Sequence, residues 1–139
     1  PAIMAAADVG LVCFAPYPVL EANSANKFYD YLAAGLPVVL NYEGWQARYL
    51  QAWAAGVAAP QGDLEGFVNR LAWLCADKAQ RAGYGKQARK LAEARFNRQQ
   101  LAETVLNLLA LHAGHHAKPA SPIGPFLPEA SSTTGTHPE

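Results

Sequence analysis

The sequence predicts an α/β fold with a small parallel sheet, on three observations. Val9 to Ala15 is a continuous apolar run of strand length, bounded by Asp8 and by Pro16-Tyr17-Pro18. A run of that kind suits a strand buried on both faces of a parallel sheet. A helical stretch and a second apolar run, Pro37 to Asn41, follow it, which makes one right-handed strand–helix–strand unit.

Taken in order, Pro1 to Ala7 reads as a turn of helix or a loop ending at Asp8. After the first strand, Pro16, Pro18 and the polar segment Glu21 to Ser24 form an irregular loop at the strand's C-terminal end. In open α/β sheets that edge is where ligands bind. In the next helix Phe28, Tyr31, Leu32 and Gly35 fall at i, i+3, i+4 and i+7, a core-facing stripe that excludes Asn26, Lys27 and Asp30. Ser24 or Asn23 is the expected N-cap, and Gly35 the residue that releases the chain into the strand at Pro37.

Past Asn41-Tyr42-Glu43-Gly44, a helix is expected from about Trp45 to Ala54, then Gly56 and a brief strand, Val57 to Ala59. Pro60-Gln61-Gly62 is a turn, and Asp63 caps a helix to about Cys75. Its apolar faces come from Leu64, Phe67, Val68, Leu71, Trp73, Leu74 and Cys75. Asp77 opens a helix through Phe96, weakened at Gly83 and Gly85. Asn97 caps a last one to about His112, with Leu101, Val105, Leu108 and Leu109 as its stripe, so that three helices close the fold. From Ala113 on, five of the ten prolines fall among Ser, Thr and Gly, the composition of a disordered tail over 113–139. Residues 1–112 are the folded part.

At 139 residues the chain fits one domain. Its formal charge is zero, which gives no reason to expect a nucleic-acid partner. From Lys78 to Arg98, seven Lys or Arg stand against one acid, Glu93. The plainer reading is a solvated helix face; the alternatives are an anionic membrane surface or an acidic partner. Cys13 and Cys75 have no disulfide or metal spacing and are expected to be buried free thiols in a reducing, cytoplasmic compartment. No signal peptide is visible, and no apolar run reaches the length of a membrane span, so a soluble protein is expected. The opening reads like the middle of an element, so a preceding segment is expected too.

Lys27 and Asp30 lie one turn apart near a helix start. Free N–H groups and the dipole there favour a phosphate, which Lys27 would help neutralise, and Asp30 could accept from ribose hydroxyls. The plainer reading is an exposed i, i+3 ion pair. His112, His115 and His116 could group two imidazoles but lack a supporting carboxylate, so no metal is expected. Trp45, Trp53 and Trp73 read as core anchors, with Glu43-Gly44-Trp45 the one segment near the presumed site. No Gly-x-Gly-x-x-Gly loop, P-loop or nucleophile elbow occurs, which argues against a dinucleotide oxidoreductase, an NTPase or an α/β-hydrolase.

The segment Asn26-Lys27-Phe28-Tyr29-Asp30-Tyr31-Leu32-Ala33-Ala34-Gly35-Leu36-Pro37-Val38-Val39 resembles the donor-binding segment of retaining glycosyltransferases of the GT-B fold, family 4. The longer run Val19 to Gly35 is similar to members that use UDP-activated amino or deoxy sugars in bacterial surface polysaccharide assembly. With looser flanking patterns the resemblance spans about residues 7 to 112. It implies the C-terminal part of a Rossmann-like donor domain. By position, Asp30 matches the second acid of the family's acidic pair, which holds the ribose hydroxyls. The first acid's position is Ala22 here, with Glu21 adjacent as its substitute toward the donor sugar. Asn23, Ser24, Ala25 and Asn26 match the loop and helix start facing the diphosphate, and Lys27 adds charge there.

The resemblance thus implies transfer of a sugar, with retention, from a nucleotide donor such as a UDP-sugar to a cell-envelope polysaccharide or lipid-linked acceptor. The donor is substrate rather than cofactor, and helix-terminus N–H groups rather than a metal stabilise the leaving diphosphate. An N-terminal acceptor domain is expected elsewhere, so this chain alone is expected to be inactive, and peripheral contact with the inner membrane face through residues 78–98 is the open partner. A non-catalytic nucleotide-binding or interaction module is the alternative, and a GT-B-like epimerase a third reading.

Overall fold

The computed structural model describes residues 2–112. The expected Pro-rich tail and the histidines at 115 and 116 lie outside them. The chain runs α1 (Ala2–Ala5), β1 (Gly10–Val12), a 3-10 helix (Pro18–Ala22), α2 (Asn26–Ala33), β2 (Val38–Leu40), α3 (Trp45–Trp53), β3 (Gly56–Ala58), α4 (Leu64–Ala76), α5 (Lys78–Arg95) and α6 (Arg98–His112). It is a mixed α/β fold, mostly helical, around one three-stranded sheet of order β1-β2-β3. Both pairings are parallel, with Gly10, Val38 and Gly56 in register.

β1 is shorter than the apolar run suggests because beyond Val12 a side chain takes over the pairing. Asn41 Oδ1 accepts from the Phe14 N–H at 2.8 Å, and Asn41 Nδ2 donates to the Phe14 carbonyl at 2.9 Å. The backbone polarity of Phe14 is met without a further sheet rung. β1 is also buried on one face only, contrary to the sequence expectation: Val12 is fully buried and Leu11 is 39 % exposed. As an edge strand it leaves the Leu11 side partly open.

The two faces of the sheet divide the helices. Val38 and Leu40 share a core with Phe28 and Leu32 of α2, Tyr49 and Leu50 of α3, and Ala88 and Leu91 of α5. Val39 points the other way and is equally buried although it is outside that core. α4 packs on β2 and β3, and its fully buried Leu74 lies outside that cluster as Val39 does, so α4 is the cover for Val39. Asp63 caps α4 as expected, Oδ1 accepting from Gly66 N at 2.8 Å, and Asp77 caps α5 by accepting from Ala79 and Gln80.

α2 ends as the sequence requires. Gly35 has φ +72°, its N–H bonds to the Leu32 carbonyl at 3.0 Å and the Leu36 N–H to the Tyr31 carbonyl at 3.0 Å, a Schellman stop. Its start differs. Ala25, not Ser24 or Asn23, is the N-cap, and no side chain caps the helix. Ser24 Oγ is instead 2.7 Å from Tyr29 Oη. Nor do Gly83 and Gly85 interrupt α5, which is continuous. A Cβ on Gly85 would collide with the Gly35 carbonyl oxygen, so Gly85 is the close-approach point between α5 and the end of α2.

Several sequence expectations fail because they read a helix without its neighbours. No residue of α6 is buried, and Leu101, Val105, Leu108 and Leu109 are all exposed. Trp73 is half exposed and meets only Tyr84 edge-on at 5.9 Å among the described rings, so it is no core anchor. Cys13 and Cys75 are exposed thiols, Cys13 because the Leu11 face of β1 is open. In the basic stretch, Arg81 donates to the Cys75 carbonyl and reaches Asp8 at 3.7 Å, while Arg89 donates to Glu93 at 2.7 Å and to the Ala33 carbonyl. Part of that charge therefore ties elements together. Among the described residues no helix is long and apolar enough to cross a membrane.

Candidate functional site

The loop between β1 and α2 is fastened from three sides. Within it, Leu20 N–H bonds to the Tyr17 carbonyl at 2.9 Å and Asn23 N–H to the Leu20 carbonyl at 3.1 Å, which winds the 3-10 turn. Gln61 Nε2 donates to the Ala15 and Tyr17 carbonyls, each at 3.2 Å. Trp45 Nε1 donates to the Asn23 carbonyl at 3.1 Å. Gly44, at φ +103°, lets the start of α3 close on the loop, since a Cβ there would meet the Glu21 carbonyl. These ties hold the loop and the start of α2 in one place.

Beneath them lies an aromatic cluster. Phe96 meets Phe28 at 6.1 Å, Tyr29 at 5.0 Å and Tyr49 at 5.4 Å, and Trp45 meets Phe28 at 6.0 Å, all edge-on or steeply tilted. Each such pair contributes roughly 0.5–1.5 kcal/mol beyond area burial. Trp45, the aromatic beside the presumed site, is thus a packed anchor of the loop. Phe96, past the end of α5, locks the α5–α6 junction onto α2.

That junction completes a cleft of about 380 Å3 lined by Asn26, Tyr29, Asp30, Phe96, Arg98 and Leu101. Of the residues singled out in the sequence, Asn26 and Asp30 come together here. Lys27 does not: its Nζ stands 6.0 Å from the centre of the Phe14 ring, a cation–π placement, and among the described residues it forms no ion pair with Asp30. Glu21, Asn23 and Ser24 are not in the cleft lining either. Asn23 offers its carbonyl to Trp45, Ser24 its hydroxyl to Tyr29, and Glu21 lies in the 3-10 turn against Gly44.

Arg98 is the site residue that sequence reasoning passed over. In the sequence it is only the end of a basic run, yet Asn97 turns the chain there, Asn97 Oδ1 accepting from the Gln99 N–H at 3.0 Å. Arg98 then stands in the cleft lining with Asn26 and Asp30 of α2. The cleft offers a carboxylate, a guanidinium, an amide and two ring faces, beside a helix N-terminus without a side-chain cap. Such a set can hold a hydroxylated ring together with an anionic group.

Phe14 belongs to a second, apolar cleft of about 350 Å3 at the C-terminal edge of the sheet, with Cys13, Pro16, Asn41 and Phe67 among its walls. Nearby, Tyr42 is fully buried and donates its hydroxyl to Gln46 Oε1. Burial, with smaller effects of Cys13 and Tyr29, holds the Tyr42 phenol well above its ordinary range. Among the described residues no group of three or more His, Cys, Asp or Glu could hold a metal ion. No protein-family model matches the chain, and it matches neither a curated protein nor a solved structure.

Proposed function

We propose that this chain is the donor-binding part of a retaining GT-B glycosyltransferase of family 4, in a Rossmann-like arrangement, and that the α2 cleft holds the nucleotide of a UDP-sugar. One observation carries the reading: Asn26 and Asp30 share a cleft with Arg98 beside the uncapped start of α2. Asp30 takes the ribose hydroxyls, the α2 N–H groups and Arg98 take the diphosphate, and Tyr29 or Phe96 supplies a ring face. Sugar transfer itself would need an acceptor-binding domain and a catalytic group toward the sugar.

The placement of Glu21 and Lys27 outside the cleft favours a second reading, a nucleotide-binding module without the chemistry. Calorimetric titration with UDP and a UDP-sugar tests the shared element. Saturable binding is expected, weakened about tenfold or more by Asp30→Ala and by Arg98→Ala, the loss of one charged hydrogen bond each. No heat of binding from either ligand would sink both readings. Hydrolysis or transfer of the sugar in the presence of an acceptor separates the first from the second.

A further inference from the structure

A third cleft, of about 550 Å3, lies away from the α2 site and includes Arg48 of α3, Arg70 of α4, Tyr84 of α5 and the length of β3 among its walls. Its size falls within the ~300–1,000 Å3 of ligand pockets. β3 is the other edge of the sheet. The Ala55 carbonyl and the Ala59 N–H bond to β2, at 3.1 and 2.9 Å. Backbone groups of a strand alternate in direction, so the N–H and C=O groups of Gly56 and Ala58 point away from β2, toward the wall of the cleft, where Gly56 is buried and Ala58 partly exposed. No other described strand pairs with them.

Two guanidiniums border this edge. Arg48 has no ion-pair partner among the described residues, and Arg70 has only a loose 3.8 Å contact with Asp63, both partners of which are about two-fifths exposed. Glu43 is the single carboxylate in the lining, so the cleft carries a net positive charge. A strand edge flanked by arginines has two separate requirements: a backbone that can pair, and negative side chains at the arginines. We propose that this cleft binds an extended acidic segment of a partner protein by strand addition to β3, the partner's carboxylates pairing with Arg48 and Arg70. The proposal is independent of the nucleotide reading of the α2 cleft.

The test uses the whole chain and a short fluorescent peptide alternating Glu and Val, with a Lys-for-Glu version as control. The acidic peptide is expected to bind saturably, to shift the amides of Gly56 and Ala58 and to protect that of the partly exposed Ala58, while the Lys version does not bind. Arg48→Glu with Arg70→Glu is expected to weaken binding about a hundredfold, at two lost charge contacts. Ala58→Pro, which removes only an outward N–H, is expected to abolish it, with the thermal melt recorded alongside. Binding that leaves both amides unshifted overturns strand addition. Equal displacement of the peptide by inorganic phosphate at matched ionic strength overturns the peptide as occupant in favour of a simple anion site, and binding unchanged by the double charge reversal overturns the role of the arginines.

Discussion

Gly85 of α5 rests on the carbonyl of Gly35, the residue that ends α2, with no room between them for a methyl group. The contact is backbone on backbone, so it cannot yield as a side chain would. Gly85→Ala is expected to destabilise the fold by about 1–3 kcal/mol, the usual cost of overpacking. Gly83, two residues earlier in the same helix, faces open space. Gly83→Ala is expected to stabilise by about 0.5–1 kcal/mol through helix propensity. Urea midpoints moving in opposite directions for the two variants would check both.

The Asn41 side chain supplies both hydrogen bonds that Phe14 would otherwise seek from a strand. Asn41→Ala leaves a part-buried donor and acceptor unpaired and is expected to cost about 1–3 kcal/mol. Amide exchange at Phe14 should accelerate along with the fall in stability. If exchange at Phe14 stays slow, another group holds the end of β1.

Tyr42 makes the fold sensitive to alkali. Its phenol is raised by burial above the ordinary value of about 10, so at high pH the unfolded chain loses this proton first. Stability is therefore full below about pH 10 and falls as pH rises from there toward the folded value. Tyr49, raised in the same direction chiefly by burial, adds to the slope. Denaturant titrations of Tyr42→Phe from ~2 units below to ~1 unit above the free phenol's value should show a flatter loss than the parent protein, though a lower plateau because Gln46 loses its donor.

The α5–α6 junction is a sharp boundary in stability. Phe96 sits in the aromatic cluster, and Phe96→Ala is expected to cost about 3 kcal/mol. Leu108 and Leu109, on the exposed stripe of α6, are expected to accept Gln together within about 0.5 kcal/mol. Thermal melts distinguish the two cases. A large loss for the α6 pair would show that its stripe is covered in solution.

The elements were legible where a local signal sets them. Asp63, Asp77 and Asn97 cap the helices they precede, and Gly35 stops α2 at its expected place, because each signal acts on backbone groups within a few residues. The order strand–helix–strand–helix–strand follows from apolar runs and their punctuation. What failed was the partner of some apolar faces, those of β1 and α6, while the α2 stripe of Phe28 and Leu32 is buried as expected. Val9 to Ala15 has the composition of a doubly buried strand, but burial of Leu11 and Cys13 needs a second element, and α4 packs chiefly on β2 and β3.

The candidate site divides in the same way. The sequence alone determined that Asn26 and Asp30 lie off the core stripe near the start of a helix, since a period of 3.6 residues places side chains on a helix whatever surrounds it. Only the tertiary structure decided that Arg98, remote in sequence, stands in their cleft while Lys27, adjacent to Asn26, stands over Phe14. Which groups share a cavity depends on how the aromatic cluster docks the α5–α6 junction on α2, a contact between distant segments that no local pattern encodes.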